Sequence, residues 1–468
     1  MEAAAHTLSR LPAGVTVVLG ALAFGAFRQG AYHESQHAVF AVLIGIGCVF
    51  LFAEPAARSS LPRVGLIVAP LVAATALSTA LSSDRSDAGS TFLLIGLVAI
   101  GLLAGAAAPR DQRSLVTAAL TGIALVVAVT AIWGVAAHSV PWGRVTEGVW
   151  RGSSSLTYSN AAAAVLGPVS LITFIKAVRD DDRIYAATTV LLAIGFASTQ
   201  SRGGALALLL IALFVIGHVG LRRFASAALP IGFGVAIGVP LLLARASTSA
   251  TPLPVAVVAL IALGMGATAL LWPKRAIVAQ PQLMLLASLG FGAGVVALSP
   301  LGDQVTQRLT LRSGTTAGGE DAGVLFGDRA QEWSVAWERF REQPFVGHGP
   351  GVVDLTWVED GRGLRAMFVH NEYLELAVTH GVLGVVALLA SGILLARHLR
   401  FNEQTWPMAL ALALFLLHST VDFLWHLPAL PVLFAVVIGL WMAHSSGPDG
   451  EEAVAETSPD PEQVLQSS

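Results

Sequence analysis

The chain has 468 residues, 55% of them hydrophobic and only 12% charged, with a net charge of −3. Soluble domains carry about 25% charged residues, so this composition excludes a soluble globular protein and points to a polytopic membrane protein. There is no basic stripe to bind nucleic acid, and the single cysteine, Cys48, excludes an intrachain disulfide and a thiolate metal cluster.

A spanning helix needs roughly 20 mostly apolar residues. Fourteen stretches qualify, near 11–27, 38–53, 64–81, 91–108, 115–137, 160–178, 184–199, 203–220, 224–244, 253–272, 282–300, 372–396, 405–421 and 428–445. The first follows Arg10 without a convincing small-residue cleavage site and reads as a retained span. The expected fold is an all-α polytopic transmembrane helix bundle of about 12–14 spans, with one long extracytoplasmic loop containing short helices. Residues 1–300 are the N-terminal bundle, 301–371 the loop and 372–445 the C-terminal helices. The 446–468 tail, with six acidic residues and no basic one, is expected to be disordered and cytoplasmic.

With the N-terminus in the cytoplasm, fourteen of the 27 basic residues fall on the inner side, six in short outer loops and seven in the long loop. The bias follows the positive-inside rule and puts both termini inside. Arg202, the 138–159 loop, the long loop and Asp422 then share the outer face. The first five stretches, rich in Ala, Gly and Val, read as scaffold.

Chemistry-bearing residues gather on that outer face. Arg202, in Thr199-Gln200-Ser201-Arg202-Gly203-Gly204, stands in a tight turn where it can grip a diphosphate in fork geometry; the other reading is an interfacial arginine reaching lipid headgroups. A helix is expected over 328–343, capped by Asp328 and stopped before Pro344. Its stripe of Trp333, Ala336, Trp337 and Phe340 suits a helix lying on the membrane, with Arg329 on the same stripe and Glu332, Glu338, Arg339, Arg341 and Glu342 flanking it or facing away. Arg329 is open to two readings, anion binding and a cation–π contact with Trp333. The turn 345–351, rich in glycine, can offer backbone amides to an anion.

His370 and Asn371 stand where the loop re-enters the bilayer. Asn371 suits an N-cap, with Glu372 and Glu375 in the first helical turn. His370 above that helix start can take a proton from a sugar hydroxyl, or be a polar residue at a membrane boundary. In the last outer loop, His418 and Asp422 are spaced to share a helix face, and Asp422 is either reactive or supporting. Metal ligands at recognisable spacing are not seen. Seven of the ten tryptophans fall at or beyond the outer side, an excess that suits stacking on sugar rings.

The ordered set resembles the bacterial O-antigen ligase family, which includes related O-antigen polymerases. It comprises Ser201-Arg202-Gly203-Gly204; Arg329, Trp333, Phe340, Pro344, Gly347, Gly349 and Gly351; His370-Asn371, Leu374, Gly381 and Gly384; and Ser419, Val421 and Asp422. Tyr158-Ser159-Asn160-Ala161 looks like the family's asparagine loop without its usual proline. The resemblance implies an inverting glycosyltransferase of the bacterial cytoplasmic membrane, working without metal, nucleotide or other cofactor. The donor would be a glycan on undecaprenyl diphosphate, and the partners a glycan or lipid acceptor and the bilayer. It makes His370 the general base and Arg202 and Arg329 the diphosphate holders, with Asn160, Asn371, Asp422 and Trp333 as supporting candidates. A polymerase of the same superfamily, a lipid-linked glycan transporter and a non-catalytic envelope partner remain as alternatives.

Overall fold

The structure, a computed structural model, describes residues 11–272 and 329–445 apart from 83, 147, 352, 360 and 361. The stretch at 282–300, the loop up to the Asp328 cap and the acidic tail lie outside the described residues. In chain order the helices α1 (Ala13–Phe27), α2 (Glu34–Ala53), α3 (Pro55–Leu81), α4 (Ala88–Ala106) and α5 (Arg113–Ala136) come first. A hairpin of β1 (Gly143–Thr146) and β2 (Val149–Gly152) leads to α6 (Ser159–Arg179), α7 (Arg183–Thr199), α8 (Arg202–Val219), α9 (Leu221–Ala244) and α10 (Pro254–Leu271). After the gap come α11 (Arg329–Glu342), a hairpin of β3 (Leu355–Glu359) and β4 (Arg362–Ala366), α12 (Glu372–Ala396), α13 (Trp406–His418) and α14 (Ala429–Ser445). The protein is an all-α polytopic bundle. Among the described residues nine helices are long and apolar enough to cross a membrane, and α1, α7, α13 and α14 are shorter apolar helices.

Two features differ from the expected layout. The stretch before residue 64, expected as a loop carrying Arg58 and Arg63, is the start of α3. Pro55 in its first turn presets the helical φ where no N–H partner is needed, and both arginines stay exposed. The two antiparallel hairpins, pairing Gly143 with Gly152 and Leu355 with Ala366 at their open ends, were not expected at all.

Small residues set the packing. A Cβ at Gly105 or Gly439 would overlap the backbone of the opposing helix, so α4 and α14 run in near backbone contact. Close approach of this kind supplies the dispersion contacts that hold helices together in lipid, where apolar burial gives no driving force. A main core joins α1 to α6 with α14, and a second, around Ile132, Val190, Ile194 and Ile261, joins α5, α7 and α10.

The segment nearest the site is held by a broken helix. At Gly381 (φ +64°) α12 leaves helical geometry. Backbone groups freed in a membrane helix must find partners, and residues 344–349 provide them. His348 N and Gly349 N donate to Val378 O and Thr379 O at 2.9 Å each, while Val382 N donates to Pro344 O at 2.8 Å. Gly347 N donates to Gln343 O at 3.1 Å. The amides of Gly347, His348, Gly349 and Gly351 are therefore engaged with the protein itself rather than turned toward an anion. A Cβ at Gly347 (φ +70°) would overlap the Thr379 carbonyl, which explains the glycine.

Candidate functional site

The plug in α12 also fixes α11, which ends at Glu342 just before it. The stripe of α11 does not lie on the membrane. Ala336 is fully buried, and Trp333 and Phe340 pack with Val353, Leu355, Val369 and Val378 in a small core between α11, β3 and the start of α12. Only Trp337, 52% exposed, is left out. The stripe turned inward because the hairpin and α12 offer it a closer apolar surface than lipid.

Glu332 goes in with the stripe. It is buried, which corrects the expectation that it flanks the apolar face. Its two oxygens meet residue 370: Oε1 accepts from His370 N at 2.5 Å and Oε2 from His370 Nδ1 at 2.8 Å. A carboxylate only accepts, so the imidazole proton sits on Nδ1 and the lone pair on Nε2. Trp333 Nε1 donates to His370 O at 3.1 Å. One helical turn thus holds both the backbone and the ring of His370. Asn371 caps α12, its Oδ1 accepting from Tyr373 N and Leu374 N at 3.1 and 3.0 Å.

Arg329, three residues before Glu332, donates to Val421 O at 2.5 Å and to Asp422 Oδ2 at 3.3 Å. Asp422 is 1% exposed and accepts further bonds from Tyr158 OH, at 2.5 Å, and from Asn160 Nδ2. Arg151 donates to Asn160 Oδ1 at 3.1 Å and to Thr199 O at 2.9 Å. Burial and the Asp422 charge both hold the Tyr158 phenol well above its ordinary pKa, so it stays a donor. A continuous series of bonds therefore runs from β2 through α6 and the 421–422 turn to α11.

Arg202, the first residue of α8, is exposed. A Cβ on the neighbouring Gly203 would lie 2.6 Å from Val421 Cγ2, and Ser201 Oγ is 3.4 Å from His418 Nε2. The glycines let the 201–204 turn seat against the same 418–422 turn that Arg329 grips, so Arg202 and Arg329 flank one feature. His418 and Asp422 do not share a helix face, because α13 ends at His418. Ser419 and Thr420 turn their hydroxyls back on Phe415 O and Leu417 O at 2.9 and 2.7 Å, and the chain bends there.

Glu372 and Glu375, expected as first-turn residues complementing the helix dipole, are buried connectors. Glu372 accepts from Trp425 N; Glu375 accepts from Val369 N at 2.8 Å and pairs with His426 at 2.7 Å. Besides Trp333, phenylalanine and tyrosine rings gather near the His370 imidazole. Phe423 lies edge-on at 4.8 Å, with Tyr158 stacked on it at 5.0 Å and Phe368 at 5.5 Å; Tyr32 meets Phe368 at 6.3 Å.

Sequence reasoning missed Glu332 as a partner and passed over Arg151. Glu332 was findable: it is three residues after Arg329 and four before Ala336, the spacing of one helix face. Nothing in the sequence distinguishes Arg151 from other outer-loop arginines.

The arrangement can accept a proton at His370 Nε2 and bind an anion beside Arg202 and Arg329. In comparisons with known proteins, residues 242–389 match the family described as O-antigen ligase. The matched segment contains Arg329, Glu332, Trp333, His370 and Asn371 and leaves out Asn160, Arg202 and Asp422. No curated protein matches the chain.

Proposed function

We propose that this chain, whose residues 242–389 match the family described as O-antigen ligase, is a membrane glycosyltransferase. It moves a glycan from undecaprenyl diphosphate to an acceptor hydroxyl at the outer face of the cytoplasmic membrane. The observation that carries this reading is the His370–Glu332 pair one helical turn from the Arg329–Asp422 pair.

In this scheme the acceptor oxygen attacks the anomeric carbon from the side opposite the diphosphate. The new glycosidic bond forms as the bond to the diphosphate oxygen breaks, and that electron pair leaves with the diphosphate. The acceptor proton passes to His370 Nε2. Glu332 holds the ring and balances the imidazolium that results, a division of labour seen wherever a carboxylate orients a catalytic histidine. Arg202 and Arg329 stabilise the charge growing on the diphosphate. The guanidinium of Arg329 is oriented beforehand by Val421 O and Asp422. The half-buried Phe423 and Phe368, packed with Tyr158 and His426, give the sugar an apolar wall beside His370. The scheme needs no metal, nucleotide or other cofactor.

A transporter sets broken helices around a substrate site at the midplane. The break in α12 is instead filled by the chain's own 344–349 segment, which favours an enzyme. Polymerase and ligase differ only in acceptor, and the lipid-linked glycan pool separates them. In a strain lacking this protein, the pool is sized by gel and mass spectrometry. Long carrier-linked chains mean that transfer is the missing step; single repeats mean that chain growth is. Complementation with His370→Ala should leave the pool as in the deletion strain while the protein inserts normally. Full complementation by that variant would remove His370 from the reaction.

A further inference from the structure

A second polar constellation lies at the opposite end of the same helices. The turn before α5, the end of α6, the approach to α13 and the end of α14 enclose a cavity of about 420 Å³. Arg110, Arg113, Lys176 and Arg179 line it, with Glu403 as the acidic lining residue. Asp180 pairs with Arg179 at 2.7 Å and with Lys176 at 3.6 Å. Four cations thus face two carboxylates, an excess of positive charge. Deeper in the bundle, a narrow apolar crevice shares Thr117, Ile172 and Met408 with the cavity and continues to Leu433, Phe434 and Val437.

Helix α6 measures the separation. Asn160, in the His370 site, and Arg179 are nineteen residues apart on it, or roughly 28 Å at about 1.5 Å per residue. The cavity therefore opens at the membrane face opposite the His370 site, the cytoplasmic one under the orientation read from the basic residues.

A basic mouth at the membrane surface that runs into an apolar crevice matches an amphipathic anion. We propose that this cavity binds the phosphate of an anionic lipid from the leaflet opposite the His370 site, with an acyl chain entering the crevice. Basic pockets between spanning helices on that side take anionic headgroups. Guanidinium forks bind phosphate oxygens in pairs; Arg110 and Arg113 supply two, while the fork of Arg179 is engaged by Asp180 and adds positive charge to the rim. A free phosphate would use the cations but not the crevice, so the apolar continuation argues for a lipid source.

The full-length protein, purified in neutral detergent, is titrated with short-chain phosphatidylglycerol, short-chain phosphatidylcholine and inorganic phosphate, with binding read by native mass spectrometry. Phosphatidylglycerol should bind at least about tenfold more tightly than phosphatidylcholine, and the Arg113→Gln/Lys176→Gln variant should lose about tenfold of that affinity. The charge-preserving Arg113→Lys variant should keep most of it. Met408→Trp, which fills the crevice, should weaken the lipid and leave inorganic phosphate unchanged; because it touches no charge, it tests the site even if the double variant misfolds. Equal binding of the two lipids overturns the proposal. So does phosphatidylglycerol binding that survives both the double variant and Met408→Trp. Inorganic phosphate competing as well as the lipid overturns the lipid source.

Discussion

Helix α6 has similar chemistry at both ends and a different construction at each. At the Asn160 end, Arg151, Asn160, Asp422 and Arg329 are bonded in series, and each has fixed partners. At the Arg179 end, four cations ring an open cavity, with Asp180 paired to two of them. The contrast is one of tolerance. Bond-making needs groups held in place before the substrate arrives, because small misplacements of the reacting atoms raise the barrier steeply. Holding a headgroup needs positive potential and room, and flexible side chains supply both.

Substitutions can break this comparison. The largest effect is expected at Glu332. Glu332→Gln keeps the shape but offers an amide to His370, which no longer balances an imidazolium. Transfer should fall about 100- to 1000-fold, with the KM for donor nearly unchanged, measured in proteoliposomes with lipid-linked donor. Activity within twofold of wild type would reduce the His370–Glu332 contact to a structural one.

Arg329→Lys should cost about tenfold, because a single ammonium cannot hold Val421 O, Asp422 and a phosphate together. The loss should appear in the KM for donor as well as in kcat. Asp422→Asn should cost a similar factor, and the two together less than the product, since both act on one guanidinium. Multiplicative effects would mean that Asp422 acts on transfer through Tyr158 and Asn160 rather than through Arg329.

The smallest effect concerns stability. Burial opposes a charge on His426, but Glu375 at 2.7 Å and Glu372 at 4.0 Å outweigh it, and the pKa is pushed up to about 9 from an ordinary 6.5. A raised folded pKa stabilises fully below the ordinary value and is lost as pH rises through 9. The melting temperature in detergent should therefore drop by about 2 °C between pH 7 and pH 10, and His426→Gln should flatten that drop. An unchanged slope in the variant would assign the pH response to other groups.

Much of the fold was legible. Thirteen of the fourteen apolar stretches are helices among the described residues, because lipid demands long apolar runs wherever a chain crosses it. The Asn371 cap was legible as well, since a cap and its amides are neighbours in sequence. Less was legible of what each polar side chain meets. Arg329 lies on the expected face of α11, while Glu332, expected to flank that stripe or face away, is buried with it. The hairpins escaped notice because four or five residues leave little periodic signal.

Hydropathy and nearest-neighbour preferences therefore establish the membrane class, most helix positions and the cap. Those properties depend on residues close together along the chain. The pairings that make a site do not: Glu332 is 38 residues from His370, Arg329 93 from Asp422, and Tyr158 264 from Asp422. Each of these contacts exists because helices packed through small residues and a plugged break in α12 bring distant segments together. A buried carboxylate then holds whichever donors that packing supplies.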